Sequence, residues 1–376
     1  MTTKKIYILI LIACSIAVLS CKKESRMAPT LEPGEEIIDL SNIPFTPRPV
    51  PSPNIEPLPM MDVPSENPLT EDGIDLGRFL FYDPILSGNQ QMACADCHFL
   101  EKGFTDQLAV STGIDGIAGT RSSMSLMFAG FYTKGLFWDG RVNTLEAQAL
   151  LPVEDVIELH ADWGVVEQRL RKHPDYPERF RKAFGINNTS EITRDLAAKA
   201  IAQFERTLVS ANSKYDQVVR GEAFFEEDEL NGFELFFDVP NNLPDAECGH
   251  CHNAPLFTTN QFFNNGLDSV GSLEDFKDKG LGVVTGNPFD NGKFRAPTLR
   301  NIALTAPYMH DGRFNTLEEV IDHYNEGAHF ADNMDPLIKP NGLGLTEQHK
   351  KDLIAFLHAL TDTSYFANPA FQNPFE

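Results

Sequence analysis

Amphipathic helices are the clearest signal in the pattern of hydrophobic and polar positions. Apolar side chains recur at i, i+4 steps across residues 191–210, at Ile192, Leu196, Ala200, Phe204 and Leu208. A second helix is predicted from Thr346 to Leu360, with Thr346 as the N-cap and an inward face of Leu353, Phe356, Leu357 and Leu360. This spacing places each apolar set on one helical face. No strand-rich region is evident, so the fold class predicted is mainly α.

The N-terminus has the pattern of an export signal. Lys4 and Lys5 precede an apolar run, Ile6–Leu19, that is too short to span a bilayer comfortably. Small residues before Cys21 indicate a lipoprotein signal over residues 1–20, with Cys21 acylated as the mature N-terminus. An ordinary secretory signal is the alternative. Either way the protein is expected outside the cytoplasm, and the lipid would hold it on the periplasmic side of a bacterial membrane.

Composition divides the rest of the chain. Residues 21–68 are predicted to form a proline-rich tether, with proline at every second position over 47–53. The remaining 308 residues (376 minus 68) exceed the usual size of one hydrophobic core and favour two domains, 69–220 and 221–376. The formal net charge of -23 argues against nucleic acid as a partner. It suits either a docking surface for basic proteins or simply a well-solvated surface.

Two cysteine motifs carry the candidate chemistry. Cys94-Ala95-Asp96-Cys97-His98 and Cys248-Gly249-His250-Cys251-His252 both have the spacing for covalent attachment of haem c. The paired thiols add to the porphyrin vinyl groups, and the following histidine becomes the proximal iron ligand. A tetrathiolate zinc site and two disulfides are the alternatives. Neither explains a histidine directly after both pairs, and zinc ribbons usually hold their pairs closer than 154 positions (248 minus 94).

Four further sequence motifs indicate a resemblance to a known family. They are Phe137-Trp138-Asp139-Gly140-Arg141, Phe204-Glu205-Arg206-Thr207-Leu208, Pro297-Thr298-Leu299-Arg300-Asn301 and Ala306-Pro307-Tyr308-Met309-His310-Asp311-Gly312. With the haem motifs, their order resembles that of bacterial di-haem cytochrome c peroxidases, including MauG-like enzymes, from about Leu69 to Asp362. The resemblance implies two tandem cytochrome c-like domains. The N-terminal haem would react with peroxide, and the C-terminal haem would take electrons from a donor.

The resemblance implies an open iron at the first haem. His98 would be its proximal ligand. Some family members close the distal side with a histidine, but Ile114 stands at that position here, and no histidine occurs between His98 and His160. This departure predicts a permanently accessible, five-coordinate iron; Met124 and Met127 are either surrogate ligands or core residues.

Three catalytic residues carry over from the family. Its distal glutamate falls on Glu158, as the proton shuttle for peroxide cleavage, and its distal glutamine on Gln148, as a hydrogen-bond partner. Trp138 aligns with the tryptophan between the two haems and is predicted to relay electrons. Surface exposure for Glu158 and core packing for Trp138 are the plain alternatives.

The sixth ligand at the second haem separates two branches of the family. His252 is the proximal ligand, and Tyr324 falls where conventional peroxidases have methionine and MauG-like members have tyrosine. The alternatives are Met309, Met334 and His323. The family also binds calcium between its domains, and those ligands map to Ser122 and to the carbonyls of Thr305 and Pro307; Ser122 replaces the usual asparagine.

Three functions are compatible with these residues. The leading hypothesis is a di-haem peroxidase that reduces hydrogen peroxide with electrons from cytochrome c or a cupredoxin. The second is a MauG-like oxidase that acts on a protein or organic substrate through a bis-ferryl state. The third is a non-catalytic di-haem electron-transfer protein. Family members often form homodimers.

Overall fold

The computed structural model describes residues 36–239, 243–339 and 341–376. The predicted signal over 1–20 and Cys21 lie outside these residues. The described residues belong to one compact unit, Glu36–Glu376. Its α-helices are α1 Glu71–Tyr82, α2 Leu145–Glu154, α3 Trp163–Lys172, α4 Tyr176–Phe184, α5 Arg194–Glu205, α6 Lys214–Val219, α7 Glu227–Phe236, α8 Leu281–Thr285, α9 Leu317–Asp322 and α10 Glu347–Ala359. The two short strands, β1 Phe262–Phe263 and β2 Phe294–Arg295, pair antiparallel. The mainly α prediction is confirmed.

Two helix pairs form the frame of the two halves. In the first half α1 packs on α5, and a Cβ at Gly77 would lie within 3.0 Å of the Ala200 carbonyl and of Phe204. In the second half α7 packs on α10, and a Cβ at Gly232 would lie equally close to the Asp352 carbonyl and to Phe356. The same close helix–helix crossing therefore occurs once in each half. The residues of α5 that contact Gly77 and the residues of α10 that contact Gly232 are offset by 152 positions (352 minus 200, and 356 minus 204).

The predicted helices are found with shorter limits. The helix expected over 191–210 is α5, which begins after Thr193, whose side chain accepts a hydrogen bond from the Leu196 amide. The helix expected from Thr346 is α10, and Thr346 is its N-cap, bonded to the His349 amide. The two N-caps fix where the helices begin, and both helices end before the last residue of the apolar pattern.

The segments before α1 and after α10 pack on the folded body. Leu40, Leu58 and Met61 are buried, although they fall in the stretch assigned from sequence to a tether. These three residues are not part of any helical or strand periodicity in the sequence, so the pattern did not predict their burial. The C-terminal residues also return to α1, where Tyr82 Oη donates a hydrogen bond to the Phe371 carbonyl (2.5 Å). The domain boundary at 220/221 stays a prediction.

Within residues 36–239, 243–339 and 341–376, no helix combines the length and apolar character that crossing a membrane requires.

Candidate haem sites

The first cysteine motif is a tight turn that presents a prepared histidine. Residues Cys94–Asp96 form a 3₁₀ turn, and the Ala93 amide donates to the Asp96 side chain (2.7 Å). His98 Nδ1 donates to the Phe104 carbonyl (2.8 Å). This bond fixes the ring and leaves Nε2 as the nitrogen for iron, as is usual for haem and metal histidines. Burial lowers the pKa of His98, so its imidazole is neutral and able to coordinate.

The second motif repeats this arrangement at a large apolar cavity. His252 Nδ1 lies 3.0 Å from the Pro297 carbonyl and 3.2 Å from that of Phe257. Burial lowers the pKa of His252 to about 4. Cys248, Cys251 and His252 line a cavity with an empty volume of about 1760 Å³, which includes its opening to solvent. A deep apolar cavity with two thiols and a neutral imidazole on its wall suits a haem.

Neither alternative explanation of the cysteines agrees with the structure. All four thiols are free, so neither pair forms a disulfide. Among the described residues, the one cluster of three or more side chains suited to holding a metal ion is Asp238, Glu247 and His250. The cysteines therefore do not converge on a tetrathiolate zinc site. His250 Nε2 is paired with Asp238 and Glu247 (3.2 and 3.1 Å), consistent with His252 as the proximal ligand of the second motif.

Glu158 lies near the first cysteine pair, and Gln148 has a buried amide oxygen with no hydrogen-bond partner among the described residues. Burial is the main cause of the raised pKa values of the Cys94 and Cys97 thiols, and the Glu158 carboxyl is near enough to add to the rise electrostatically. Burial, with help from Asp155, raises the pKa of Glu158 itself to about 6. Gln148 lies on α2, and its Oε1 atom is buried without a hydrogen-bond partner among the described residues. A buried acceptor of this kind is suited to accept a hydrogen bond from a bound molecule.

The two surrogate methionines have other surroundings that account for them. Met127 is fully buried in the hydrophobic core with Phe104 and Phe128. Met124 offers its backbone carbonyl to His98, which places that carbonyl on the proximal side. Both observations favour the core and structural interpretation of these residues.

Trp138 is joined to the second cavity by a short chain of hydrogen bonds. It lines that cavity, and its Nε1 donates to the Ser122 carbonyl (3.0 Å). The Ser122 amide in turn donates to the His310 carbonyl (2.7 Å), and Ser122 Oγ donates to the Met309 carbonyl (3.0 Å). This chain connects the tryptophan with the second haem site.

Tyr324 and Met309 share one hydrogen-bond donor at the second site. Both line the cavity of Cys251 and His252. Asn265 Nδ2 donates to Tyr324 Oη (3.1 Å) and also reaches Met309 Sδ (3.6 Å). Burial raises the pKa of Tyr324 to about 12, whereas the bond from Asn265 opposes that rise.

The other ligand alternatives are less well placed. His323 Nε2 donates to the Asn265 carbonyl (3.1 Å) and is therefore engaged. Met334 is not among the residues that line the cavity, and its sulfur packs near Gly266. The three candidate calcium ligands all line the same cavity; they are Ser122, Thr305 and Pro307.

Two polar residues gained importance only in the structure. Asn265 belongs to no motif, and only its contact with Tyr324 identifies it. Glu205 lies inside a quoted motif but was given no role; it is 4% exposed, and its Oε2 atom has no hydrogen-bond partner among the described residues. Burial raises the pKa of Glu205 to about 8. The 152-position offset pairs Glu205 with Leu357, which lines the second cavity, so Glu205 is expected to face the first haem.

Comparison with known proteins gives one consistent family. The sequence model described as "Di-haem cytochrome c peroxidase" matches residues 71–224. Cytochrome-c peroxidase IdrP1 of Denitromonas iodatirespirans is 37% identical over 83% of this chain and 87% of its own. Methylamine utilization protein MauG of Methylorubrum extorquens is 33% identical over 79% and 80%. A crystal structure of a MauG-like protein associated with microbial copper homeostasis has a TM-score of 0.79 and 37% identity, and the match covers 86% of this chain and 99% of that one.

Proposed function

Because the chain belongs to the di-haem cytochrome c peroxidase family, we propose that it reduces hydrogen peroxide to water with electrons from a small redox protein. Relatives named cytochrome-c peroxidase, at 37% identity over most of the chain, support this activity. The observation that carries the proposal is the half-buried Glu158 carboxyl near Cys94 and Cys97.

The residues fit two covalently bound haems. Cys94 and Cys97 would form the thioether bonds to one, Cys248 and Cys251 to the other, and His98 and His252 would be the proximal ligands. When bound, the haems supply the redox chemistry, and the protein supplies orientation and electrostatics.

Glu158 is assigned the proton transfer. With a pKa of about 6, the carboxyl is ionised in most molecules at neutral pH, and it accepts a proton readily. It would take the proton from one peroxide oxygen and return it to the other, the departing oxygen, which is general base followed by general acid catalysis. The unpartnered Gln148 Oε1 would accept a hydrogen bond from the peroxide and orient it.

Trp138 is proposed as the electron relay. Its indole lies in the wall of the second cavity, and the bonds through Ser122 hold it against the backbone of Met309 and His310. A rigidly held aromatic ring between two redox centres shortens the distance that an electron must cross.

Tyr324 is the observation that favours the MauG-like alternative. As sixth ligand its anionic oxygen would lower the potential of the second haem relative to a thioether. Two relatives named cytochrome-c peroxidase are 37% identical to this chain, whereas the relative named MauG is 33% identical, so peroxide reduction remains the principal proposal. A non-catalytic electron-transfer protein would have no use for the Glu158 and Gln148 pair.

Calcium binding is a further part of the proposal. Ser122 Oγ donates its proton to the Met309 carbonyl, which leaves its oxygen lone pairs for a cation. The Thr305 and Pro307 carbonyls would be the other protein ligands, since oxygen is the ligand that calcium prefers. Calorimetric titration of chelator-treated protein with calcium tests the site, and absence of binding contradicts it.

Cellular placement and partners follow the sequence. We propose export, a lipid on Cys21, and a donor of the cytochrome c or cupredoxin type that docks on an acidic surface. Mass analysis of the membrane-extracted protein would detect the lipid. Light scattering would detect the expected homodimer.

Turnover with reduced cytochrome c and peroxide tests the principal function directly. The expected result is oxidation of two cytochromes per peroxide. A protein with both haems attached and no turnover with any basic or acidic donor contradicts it. The resting spectrum separates the non-catalytic alternative, because an open first iron gives a high-spin fraction, whereas an electron-transfer protein is low-spin at both sites.

A further inference from the structure

The backbone on either side of Glu158 is held by two loops from opposite directions. The Ile114 amide donates to the Glu158 carbonyl (3.0 Å), and the Gly88 amide donates to the Leu159 carbonyl (2.8 Å). One loop is the segment 111–118, where Ile114 replaces a histidine; the other leads into the first cysteine motif. Two successive carbonyls are therefore anchored by different parts of the chain.

Each loop makes its contact through a glycine that no other residue can replace without movement. A Cβ at Gly113 would lie within 3.0 Å of both the Ile157 and Glu158 carbonyl oxygens. A Cβ at Gly88 would lie within 3.0 Å of the His160 carbonyl oxygen. These neighbours are backbone atoms, which cannot swing aside as a flexible side chain can.

The segment is also closed on itself. The Asp155 carbonyl accepts hydrogen bonds from the Glu158 and His160 amides (both 3.0 Å). Asp115, from the 111–118 loop, pairs with His160 Nδ1 (2.5 Å). This ion pair is about half exposed, so it contributes little. The closely packed glycine contacts are the main restraint.

We propose that Gly88 and Gly113 are positioning residues that clamp the segment 157–160 from two sides and hold the Glu158 carboxyl over the first haem site in the resting protein. The proposal rests on the role of Glu158 in peroxide cleavage. Because the 111–118 loop has no histidine to ligate iron, its proposed role is to hold the proton shuttle, Glu158, in a fixed position. No loop movement is then needed before peroxide reacts.

The experiment compares three alanine variants. Gly113→Ala and Gly88→Ala press on the segment from opposite sides. Gly119→Ala, directly after the 111–118 loop, is the matched control, because its Cβ would be at an ordinary 3.6 Å from the nearest atom, the Ser111 carbonyl oxygen. Each variant is assayed for peroxide turnover and for the rate of cyanide binding, since hydrogen cyanide must also give a proton to a base beside the iron.

Gly113→Ala and Gly88→Ala should lower kcat/KM for peroxide and the cyanide association rate by roughly 10²-fold, the cost of misplacing a catalytic group by about 1 Å. The pH profile of cyanide binding should shift to lower pH as Glu158 becomes more exposed. Gly119→Ala should match the wild type in both rates. The reduction potential and attached haem content should stay the same in all three.

Equal rates in all four proteins would overturn the clamp. If Glu158→Gln slows both reactions while the glycine variants do not, the proposed function stands and the clamp fails. If Glu158→Gln has no effect, the assignment of the shuttle fails instead. Hydrogen exchange in the wild type gives a check that requires no variant: the Gly88 and Ile114 amides should be protected, and exchange at both amides as fast as in an unstructured peptide would contradict the proposal.

Discussion

The two haem sites are alike on the proximal side and different on the distal side. At both, a cysteine pair in a 3₁₀ turn precedes a histidine whose Nδ1 is held by a backbone carbonyl. Near the first cysteine pair lies Glu158, a carboxyl with a raised pKa, and Gln148 on α2 has an unpartnered buried amide oxygen. At the second site, Tyr324 and Met309 line the cavity under one shared amide donor, Asn265.

This difference explains how one duplicated frame can serve two purposes. The frame sets the thioethers and the proximal ligand, because those depend on a short local motif. The distal groups come from other elements, so they can change independently. A site for peroxide needs a free position and a proton carrier, whereas a transfer site works best with both axial positions filled, because little then rearranges on reduction.

Removing the proton carrier should have the largest effect. We expect Glu158→Gln to lower kcat/KM for peroxide by about 10²–10⁴-fold, the usual contribution of a general acid–base group. Stopped-flow mixing with peroxide measures it. Glu154→Gln, at the exposed last residue of α2, four positions before Glu158, is the control and should react normally. A normal rate for Glu158→Gln would contradict the assignment of Glu158 as the proton carrier, and with it the distal difference between the two sites.

Exchanging the distal tyrosine should make the second site more like a conventional transfer site. Tyr324→Met is expected to raise the potential of the second haem by on the order of 0.1 V, within the roughly 0.8 V range that axial ligands span. Spectroelectrochemical titration measures this. Tyr308→Phe changes a tyrosine of the same cavity whose Oη bonds to the Ile302 carbonyl, and it should leave the potential unchanged. An unchanged potential in Tyr324→Met would exclude the tyrosine as a ligand.

The buried carboxyl of the first half predicts a pH-dependent stability. Burial raises the pKa of Glu205 to about 8, so between its ordinary value and about 8 the folded protein binds more protons than the unfolded protein. The free energy of unfolding should therefore fall as pH rises through this window, by on the order of 2 kcal/mol from pH 6 to pH 8. The charged neighbours are Arg206 and Glu146, which are paired with each other.

Glu205→Gln keeps the shape of the side chain and removes the titration, so denaturant unfolding at the two pH values should give a smaller difference. Glu205→Leu introduces the residue found at the corresponding position, Leu357, and should behave similarly. If both variants lose as much unfolding free energy between pH 6 and pH 8 as the wild type does, another group is responsible for the pH dependence.

The smallest effect expected is in the pH profile of the wild-type enzyme. Catalysis needs the ionised Glu158, whose pKa is raised to about 6, so kcat/KM for peroxide should rise with pH through that value. Lowering the pH from 7 to 5 should slow the reaction about tenfold. Cytochrome oxidation assayed across this range measures the profile. An inflection near the ordinary glutamate value would mean that the carboxyl is more exposed than the structure indicates.

The sequence alone determined the features encoded by neighbouring residues. The two haem motifs, the helix after Thr193 and the capped helix after Thr346 follow from spacing within a few turns, because helix periodicity and thioether geometry are local. The resemblance also selected Glu158, Gln148 and Trp138; Glu158 lies near Cys94 and Cys97, and Trp138 lines the second cavity. Their catalytic roles remain predictions.

Only the tertiary structure decided which distant residues meet. Asn265 reaches Tyr324 across 59 positions, and the loop glycine Gly113 meets the carbonyl of Glu158, although no local pattern marks either contact. Leu40 and Met61 are buried despite lying in a stretch that looks like a tether. Burial, shared donors and close backbone contacts arise when separate segments pack together, and a pattern read along the chain does not contain that information.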